Sequence, residues 1–153
     1  MRLRVLTFNI HGGLGTDGAF DYERLAGVIR SAEPDLVALQ EVDVGTARAG
    51  GADQPAILAR LTGMHVAYGK AMDYDGGAYG EAILSRTPLA DVRCHALPAR
   101  PPHEPRALLE TRVIPAGWTR PLSFLDTHVE HQDAPLRLEQ ADAVARRPGV
   151  EGG

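Results

Sequence analysis

The 153-residue chain is poor in several residue types, and each shortage excludes a class of protein. Cys94 is the only cysteine, so no disulfide can form within the chain and no cysteine-based zinc site is available. No apolar run is long enough to cross a bilayer, and Asn9 and His11 interrupt the first apolar stretch too early for a signal peptide. Acidic residues outnumber basic ones by 20 to 16, which excludes a basic surface that coats nucleic acid. We therefore expect a cytoplasmic protein without a membrane span.

The composition and the first forty residues indicate an α/β domain. With 44% hydrophobic and 24% charged residues, the chain has the composition of one globular domain. Arg4–Ile10 is apolar on both faces, which predicts a central strand that is covered on both sides. Asp21 is a good N-cap for a helix over Tyr22–Ala32, and Asp35–Gln40 is a second apolar strand. This succession predicts a βαβ unit with parallel strands.

The rest of the chain predicts two more helices and further strands. One helix covers Gln54–Thr62, and a last helix opens at Asp133 and is stopped at Pro148. Alternating patterns predict mostly antiparallel strands at His65–Lys70, Tyr79–Arg86, Asp91–Ala96, Ala107–Ile114 and Leu122–Val129. We expect an α/β fold with a mixed sheet and flanking helices over residues 1–147, followed by a frayed, glycine-rich tail over residues 148–153.

Two polar side chains fall at the ends of the first two apolar strands. Asn9 ends the first strand, and Glu41 follows the last residue of the second. Because the carboxyl ends of parallel neighbours meet at one edge of an open α/β sheet, these two side chains should lie close together. An amide oxygen and a carboxylate are hard donors that suit Mg²⁺ or Mn²⁺. Spacing alone equally allows a solvated carboxylate at Glu41 and a turn-forming Asn9.

The strand over Leu122–Val129 repeats this arrangement near the other end of the chain. His128 lies at its exit and could donate a proton to a developing phosphate charge, since the pKa of histidine is near neutrality. A histidine that is satisfied by one backbone partner is the simpler interpretation. Arg137 lies on the last helix and could bind an anion, although a surface arginine is the default interpretation.

A glycine-rich segment competes for a different function. Gly13, Gly15 and Gly18 match the dinucleotide-binding pattern G-x-G-x-x-G after a strand, and Glu41 lies at a plausible distance for a ribose contact. That fingerprint requires the glycines to open the helix directly, so that the pyrophosphate meets its N-terminus. Here the helix cap is Asp21, beyond the last glycine, and we favour a loop.

Together, these residues resemble the endonuclease/exonuclease/phosphatase superfamily, which has the deoxyribonuclease-I-like fold. Five segments carry the resemblance over nearly the whole chain: Leu6–Gly12 (LTFNIHG), Pro34–Val42 (PDLVALQEV), Tyr79–Leu89 (YGEAILSRTPL), Asp126–His131 (DTHVEH) and Arg137–Gln140 (RLEQ). They occur in the family's order. Two positions depart from it, because Glu81 and Asp126 stand where many relatives have asparagine.

The resemblance implies a four-layered α/β/β/α sandwich and a metal-dependent phosphoesterase. Glu41 would bind Mg²⁺ or Mn²⁺, and Asn9 would orient the metal and phosphate side of the site. His128 would contact or protonate phosphate oxygens. Arg137 would contribute to substrate binding. The chemistry would be attack by water on a metal-bound phosphate. Nucleic acids, nucleotides, inositol phosphates and lipid head groups all remain open as substrates.

The family pattern is incomplete in this sequence. Relatives continue with a Gly-Asp-Phe-Asn strand end and a later Ser-Asp-His motif, which supply the water-activating carboxylate and its histidine, and neither occurs here. We therefore expect most of the second sheet to be missing, with Leu109, Val113 and Phe124 uncovered and the chain prone to self-association. A hydrolase, a catalytically incomplete remnant that acts as a binding module and a truncated chain stay open as alternatives.

Overall fold

The structure is a computed structural model that describes residues 2–147. Its strands and helices follow one another along the chain as β1 (Val5–Asn9), α1 (Tyr22–Ala32), β2 (Leu36–Val44), α2 (Gln54–Thr62), β3 (His65–Tyr74), β4 (Gly77–Ser85), β5 (Leu89–Ala96), β6 (Ala107–Val113), β7 (Leu122–Thr127) and α3 (Ala134–Ala145). The expected stop at Pro148 and the expected tail over residues 148–153 lie outside the described residues. Within residues 2–147, no helix is long and apolar enough to cross a membrane.

Two sheets form the centre of the fold. The first has the order β1-β2-β4-β3, with β1 and β2 parallel and the other pairs antiparallel. The second is antiparallel and has the order β5-β6-β7. On one face of the first sheet, Val37, Leu39 and Leu84 pack with Ile29 of α1 and Leu58 of α2 in the apolar core. The predicted α/β class, with a mixed sheet and flanking helices, is confirmed.

The second sheet covers the other face of the first sheet. Leu109 and Val113 are only 0% and 2% exposed, because their side chains point between the sheets. The contact is close at Gly69, where a Cβ atom would lie 3.2 Å from Leu109 and 3.0 Å from the sulfur of Cys94. The expectation that Leu109 and Val113 would be uncovered is therefore wrong, and Phe124 is half-buried.

Helix α3 lies on the outer side of the second sheet. Arg147, which follows α3, makes a 2.7 Å hydrogen bond to Nδ1 of His95, and Nε2 of His95 contacts Glu110 at 2.8 Å. His95 and Glu110 alternate along their strands with Cys94 and Leu109, which face the first sheet. His95 and Glu110 therefore lie on the opposite face of the second sheet. The order of layers is therefore helices, sheet, sheet, helix.

The sequence predicted that β1 is a central strand. In the structure it lies at an edge of its sheet. Among the described residues, its only strand partner is β2. Leu6 and Phe8 pack against the apolar core under the helices, whereas Val5 is 54% exposed on the other face. A run that is apolar on both faces does not distinguish an edge strand from a central one, because the same residues suit both positions.

Strand β2 contains a bulge close to its carboxyl end. Leu39 pairs with Ala82 and Val42 pairs with Gly80, so that Gln40 and Glu41 together stand opposite a single residue of β4. Glu41 has a φ of +56°, in the left-handed region. The extra residue re-aims the Glu41 side chain, as bulges beside functional sites commonly do.

Candidate active site

The site is built at the edge where β1 and β2 end. The side chain of Asn9 donates a hydrogen bond from Nδ2 to Oε1 of Glu41 at 2.8 Å. Its Oδ1 accepts from the backbone N–H of His11 at 2.9 Å, and this fixes the orientation of the amide. The predicted proximity of Asn9 and Glu41 is therefore present, and it follows from the parallel pairing of the strands that carry them.

His128 reaches the same place from the end of β7. Its Nδ1 lies 3.9 Å from Oε1 of Glu41 and 3.1 Å from Nη1 of Arg106. Arg106 is 2% exposed and directly precedes β6, and its Nη2 contacts Glu104 at 3.2 Å. The two sheets thus contribute opposite charges to one site, with Glu41 from the first sheet and Arg106 from the second.

The contact with Arg106 determines which nitrogen of His128 carries the proton. A guanidinium has no acceptor, so Nδ1 of His128 must accept, and the neutral ring carries its hydrogen on Nε2. Burial lowers the pKa of His128, and the nearby charge of Arg106 lowers it further, against the opposing effect of Glu41. His128 is therefore a neutral hydrogen-bond donor at neutral pH.

These groups line a cavity of about 350 Å³. The remaining lining residues come from the neighbouring loops and from the β3–β4 hairpin, and they are His11, Arg48, Met72, Tyr74, Tyr79, Glu104 and His131. The Arg48 guanidinium lies 4.5 Å from the centroid of the Tyr74 ring and is paired with the buried Asp43 at 2.7 Å. Burial raises the pKa of Tyr79, with a further contribution from Glu41, so its phenol stays protonated. The cavity has one polar side and one aromatic side.

The donors available to a metal ion are few. Within residues 2–147, no three histidine, cysteine, aspartate or glutamate side chains come together closely enough to form a metal centre. Glu41 is one carboxylate at the cavity, and the other, Glu104, is paired with Arg106. Magnesium is commonly bound by only one or two carboxylates, with water and substrate phosphate completing its shell. Glu41 fits a centre of that kind.

Arg137 does not reach this cavity. Its Nη1 donates to the backbone carbonyls of Glu130 and His131, both at 3.2 Å. It therefore ties α3 to the loop that follows His128. Conversely, no sequence pattern identifies Arg106, which is buried in the site. It follows a proline-rich loop without periodicity, and its backbone carbonyl is held there by the N–H of Leu97 at 2.9 Å.

Comparison with known proteins places this chain in a wider group. The profile of the Endonuclease/Exonuclease/phosphatase family matches residues 6–148. The crystal structure of an endonuclease/exonuclease/phosphatase from Beutenbergia cavernae is 28% identical, with a TM-score of 0.75, and the match covers 93% of this chain and 43% of that one. No curated protein matches the chain.

Two further structures share the fold at lower identity. The mannosyl-6-phosphatase Bt3783 of Bacteroides thetaiotaomicron is 18% identical with a TM-score of 0.72, and the match covers 94% of this chain and 57% of that one. TDP2 of D. rerio, in complex with a single-strand DNA product, is 22% identical with a TM-score of 0.62, and the match covers 94% and 53%. This chain thus spans about half the length of these structures. By the match over residues 6–148, together with the shared fold, the chain belongs to the endonuclease/exonuclease/phosphatase family.

Proposed function

We propose that this chain provides the metal-binding and phosphate-binding part of a phosphoester hydrolase site. One observation carries the proposal: the Glu41 carboxylate faces the Arg106–His128 pair at the carboxyl edge of the first sheet. Metal and phosphate require groups of opposite charge close together, and this cavity provides both. The family supports a phosphoesterase or nuclease type of chemistry, since a mannosyl-6-phosphatase and a DNA-bound TDP2 share the fold.

Glu41 is the residue that would hold the metal ion. Members of this family generally depend on a divalent metal, and a carboxylate prefers Mg²⁺ or Mn²⁺ over softer ions. When bound, such an ion polarises a phosphate oxygen and lowers the pKa of a bound water. Because Oδ1 of Asn9 is already used by the His11 N–H, we assign to Asn9 the role of orienting the carboxylate.

Arg106 and His128 would bind the phosphate group. The guanidinium carries a permanent charge and is nearly excluded from water, so its attraction for an anion is weakly screened. The Nε2–H of neutral His128 adds a hydrogen bond directed at a phosphate oxygen. Both groups are positioned before substrate arrives, which is the arrangement that stabilises charge in a transition state. Arg137 has no part in this assignment.

A binding module without turnover is the second candidate. The sequence lacks the Gly-Asp-Phe-Asn and Ser-Asp-His segments that the family uses to activate water. The other carboxylate at the cavity, Glu104, is paired with Arg106 and is therefore poorly placed to act as a base. In that case the chain would bind metal and phosphate and release them unchanged. Nucleic acids, nucleotides, inositol phosphates and lipid head groups are all compatible with the polar half of the cavity.

Calorimetric titration with Mn²⁺ and then inorganic phosphate tests the proposal. We expect Glu41→Gln to abolish specific Mn²⁺ binding, while Glu23→Gln on the exposed side of α1 leaves it unchanged. Arg106→Met should weaken phosphate binding at least tenfold, the loss expected for one charged hydrogen bond. Unchanged Mn²⁺ binding by folded Glu41→Gln would contradict the proposal. Cleavage of bis(p-nitrophenyl) phosphate by the wild type, lost in Glu41→Gln, would distinguish a hydrolase from a binding module.

A further inference from the structure

One side of the cavity is formed by the β3–β4 hairpin. Met72 of β3 pairs with Tyr79 of β4, and Tyr74 follows Met72 by two residues, so the three side chains lie on one face of the hairpin. All three line the cavity. We call Met72, Tyr74 and Tyr79 the hairpin wall. The metal-binding and phosphate-binding roles proposed above use none of these residues.

The tip of the hairpin holds Tyr74 in place. The turn residues Asp75 and Gly76 have φ values of 47° and 80°, as two-residue turns between twisted strands require. The backbone carbonyl of Asp75 accepts from the Ala47 N–H at 2.9 Å, and its carboxylate accepts from the Arg48 N–H at 2.6 Å. Tyr74 is therefore positioned before a ligand arrives, which lowers the entropic cost of binding.

The guanidinium of Arg48 supports the Tyr74 ring. It lies 4.5 Å from the ring centroid and donates two hydrogen bonds to the buried Asp43, at 2.7 and 2.8 Å. Gly12 lies against the same guanidinium, where a Cβ atom would be 3.0 Å from Nη2 of Arg48. Asp43 and Gly12 thus hold the cation against the ring. Tyr74 is still 37% exposed, so it is accessible to a ligand.

The hairpin wall begins beside the charged groups of the site. Burial raises the pKa of Tyr79, Glu41 raises it further and Arg106 lowers it, so the Tyr79 phenol is close to both charges. The centroid of the Tyr74 ring lies 6.0 Å from that of Tyr79, and Tyr74 is the more exposed of the two. A ligand whose phosphate contacts Arg106 and His128 would therefore extend along Tyr79 towards Tyr74.

The chemistry of the hairpin wall favours one class of phosphoester. Aromatic rings and a thioether offer flat apolar surface, on which a nucleic-acid base of any kind can stack. A sugar or inositol phosphate would need acceptors for its hydroxyl groups, but the Asp43 carboxylate is buried and already accepts from Arg48 and Thr46. A lipid chain would need a longer apolar groove than three side chains provide.

We propose that the hairpin wall binds the base of a nucleoside phosphate, with Tyr74 as the residue that determines specificity. The base stacks on the Tyr74 ring while Arg106 and His128 hold the phosphate. A free nucleotide and the terminal nucleotide of a nucleic acid share this chemistry. The inference rests on the proposed function, because the phosphate contacts belong to that site.

Calorimetric titration of the full chain with AMP and with ribose 5-phosphate, which lacks the base, tests the inference. EDTA in the buffer prevents metal-dependent turnover. We expect AMP to bind about tenfold more tightly or better, the effect of one stacked base. In Tyr74→Leu the two affinities should agree within about threefold, whereas Tyr74→Phe keeps the ring and should keep the preference. Ribose 5-phosphate should bind equally to the wild type and to both variants.

A fluorescent analogue gives a measurement that needs no variant. Stacking on an aromatic ring quenches 2-aminopurine, so 2-aminopurine riboside 5′-phosphate should lose fluorescence when it binds to the wild type, and excess AMP should restore it. Binding without quenching would overturn the inference even if Tyr74→Leu does not fold. Equal affinities for AMP and ribose 5-phosphate in the wild type would also overturn it, as would a preference that persists in Tyr74→Leu.

Adenosine separates this inference from the proposed function. Binding of adenosine that is lost in Tyr74→Leu, without binding of ribose 5-phosphate, would support the hairpin wall and contradict the phosphate assignment. Binding of ribose 5-phosphate as tight as that of AMP would do the opposite, and no binding of any of the three would contradict both. A 5′-phosphorylated tetradeoxyadenylate distinguishes the two sources: binding tighter than that of dAMP indicates a nucleic-acid end, and equal binding indicates a free nucleotide.

Discussion

The contacts between Arg48 and Asp43 predict how much a substitution of Arg48 lowers the free energy of unfolding. Asp43 is fully buried near the end of β2. Its carboxylate accepts from Nε and Nη2 of Arg48 at 2.7 and 2.8 Å and from the Thr46 hydroxyl at 2.8 Å. Substitution of Arg48 by methionine would keep much of the side-chain volume but leave a buried charge with a single hydroxyl donor.

The expected cost is a loss of about 3 kcal/mol in the free energy of unfolding. Removal of one partner from a buried pair costs about 3–5 kcal/mol, because the remaining charge is uncompensated. The Arg48 side chain is 38% exposed, so water can partly replace it, and the lower end of the range applies. The lost contact with the Tyr74 ring, 4.5 Å away, adds about 0.5 kcal/mol. A domain has only about 5–15 kcal/mol of stability, so this loss would be large.

Urea unfolding with linear extrapolation measures this loss. The control Arg146→Met removes an exposed arginine that pairs with Asp142 on α3, and it should change stability by less than about 0.5 kcal/mol. The double variant Asp43→Asn/Arg48→Met should recover part of the loss, since a neutral amide needs no counter-charge. A loss below about 1 kcal/mol in Arg48→Met, or no recovery in the double variant, would refute the argument from the buried charge.

Three further predictions concern the sheets and α1. Burial raises the pKa of Glu81 from 4.5 to about 8 and that of Asp126 from 3.8 to about 7 on folding, so the unfolded chain binds fewer protons within this window. The free energy of unfolding should therefore fall as pH rises from about 5 to 8, less steeply in Glu81→Gln, and equal urea midpoints at both pH values would contradict this. Gly80→Ala should lower the melting temperature, because its Cβ would overlap the carbonyl oxygen of Gly69; an unchanged circular-dichroism melt would disprove the close approach. Gly27→Ala should instead stabilise α1 by about 0.5–1 kcal/mol, since its Cβ meets nothing closer than 3.9 Å, and a lower midpoint in urea would contradict that.

Helices α1 and α2 could be predicted residue by residue because their limits are set locally. Helix α1 covers Tyr22–Ala32 as expected, and the Asp21 side chain accepts from the Arg24 N–H at its start. Helix α2 covers Gln54–Thr62 as expected and ends at Gly63, which adopts a left-handed conformation. The position of β1 in its sheet depends instead on which strands pair with it, and no local pattern encodes that.

The candidate site could be predicted only in part. Asn9 and Glu41 come together because parallel strands end at a common edge, a rule that the sequence pattern satisfies. Arg106 could not be distinguished as a site residue from the sequence, because 15 of the 16 basic residues are arginine. Its role depends on burial and on the contact with His128, which only the folded chain shows. Arg137 was a candidate from the sequence and instead contacts loop carbonyls.

The bulge at Glu41 positions a side chain of the candidate site, but strand pairing does not require that side chain. The sheet pairs on both sides of the extra residue, with Leu39 before it and Val42 after it, so no ladder position depends on the glutamate side chain. A non-glycine residue at φ +56° is held there against its backbone preference. Glu41→Gly would relieve that strain, so selection for thermostability alone should favour the loss of this carboxylate. Retention of glutamate at position 41 under that selection would show instead that its side chain stabilises the fold, for example through the hydrogen bond from Asn9.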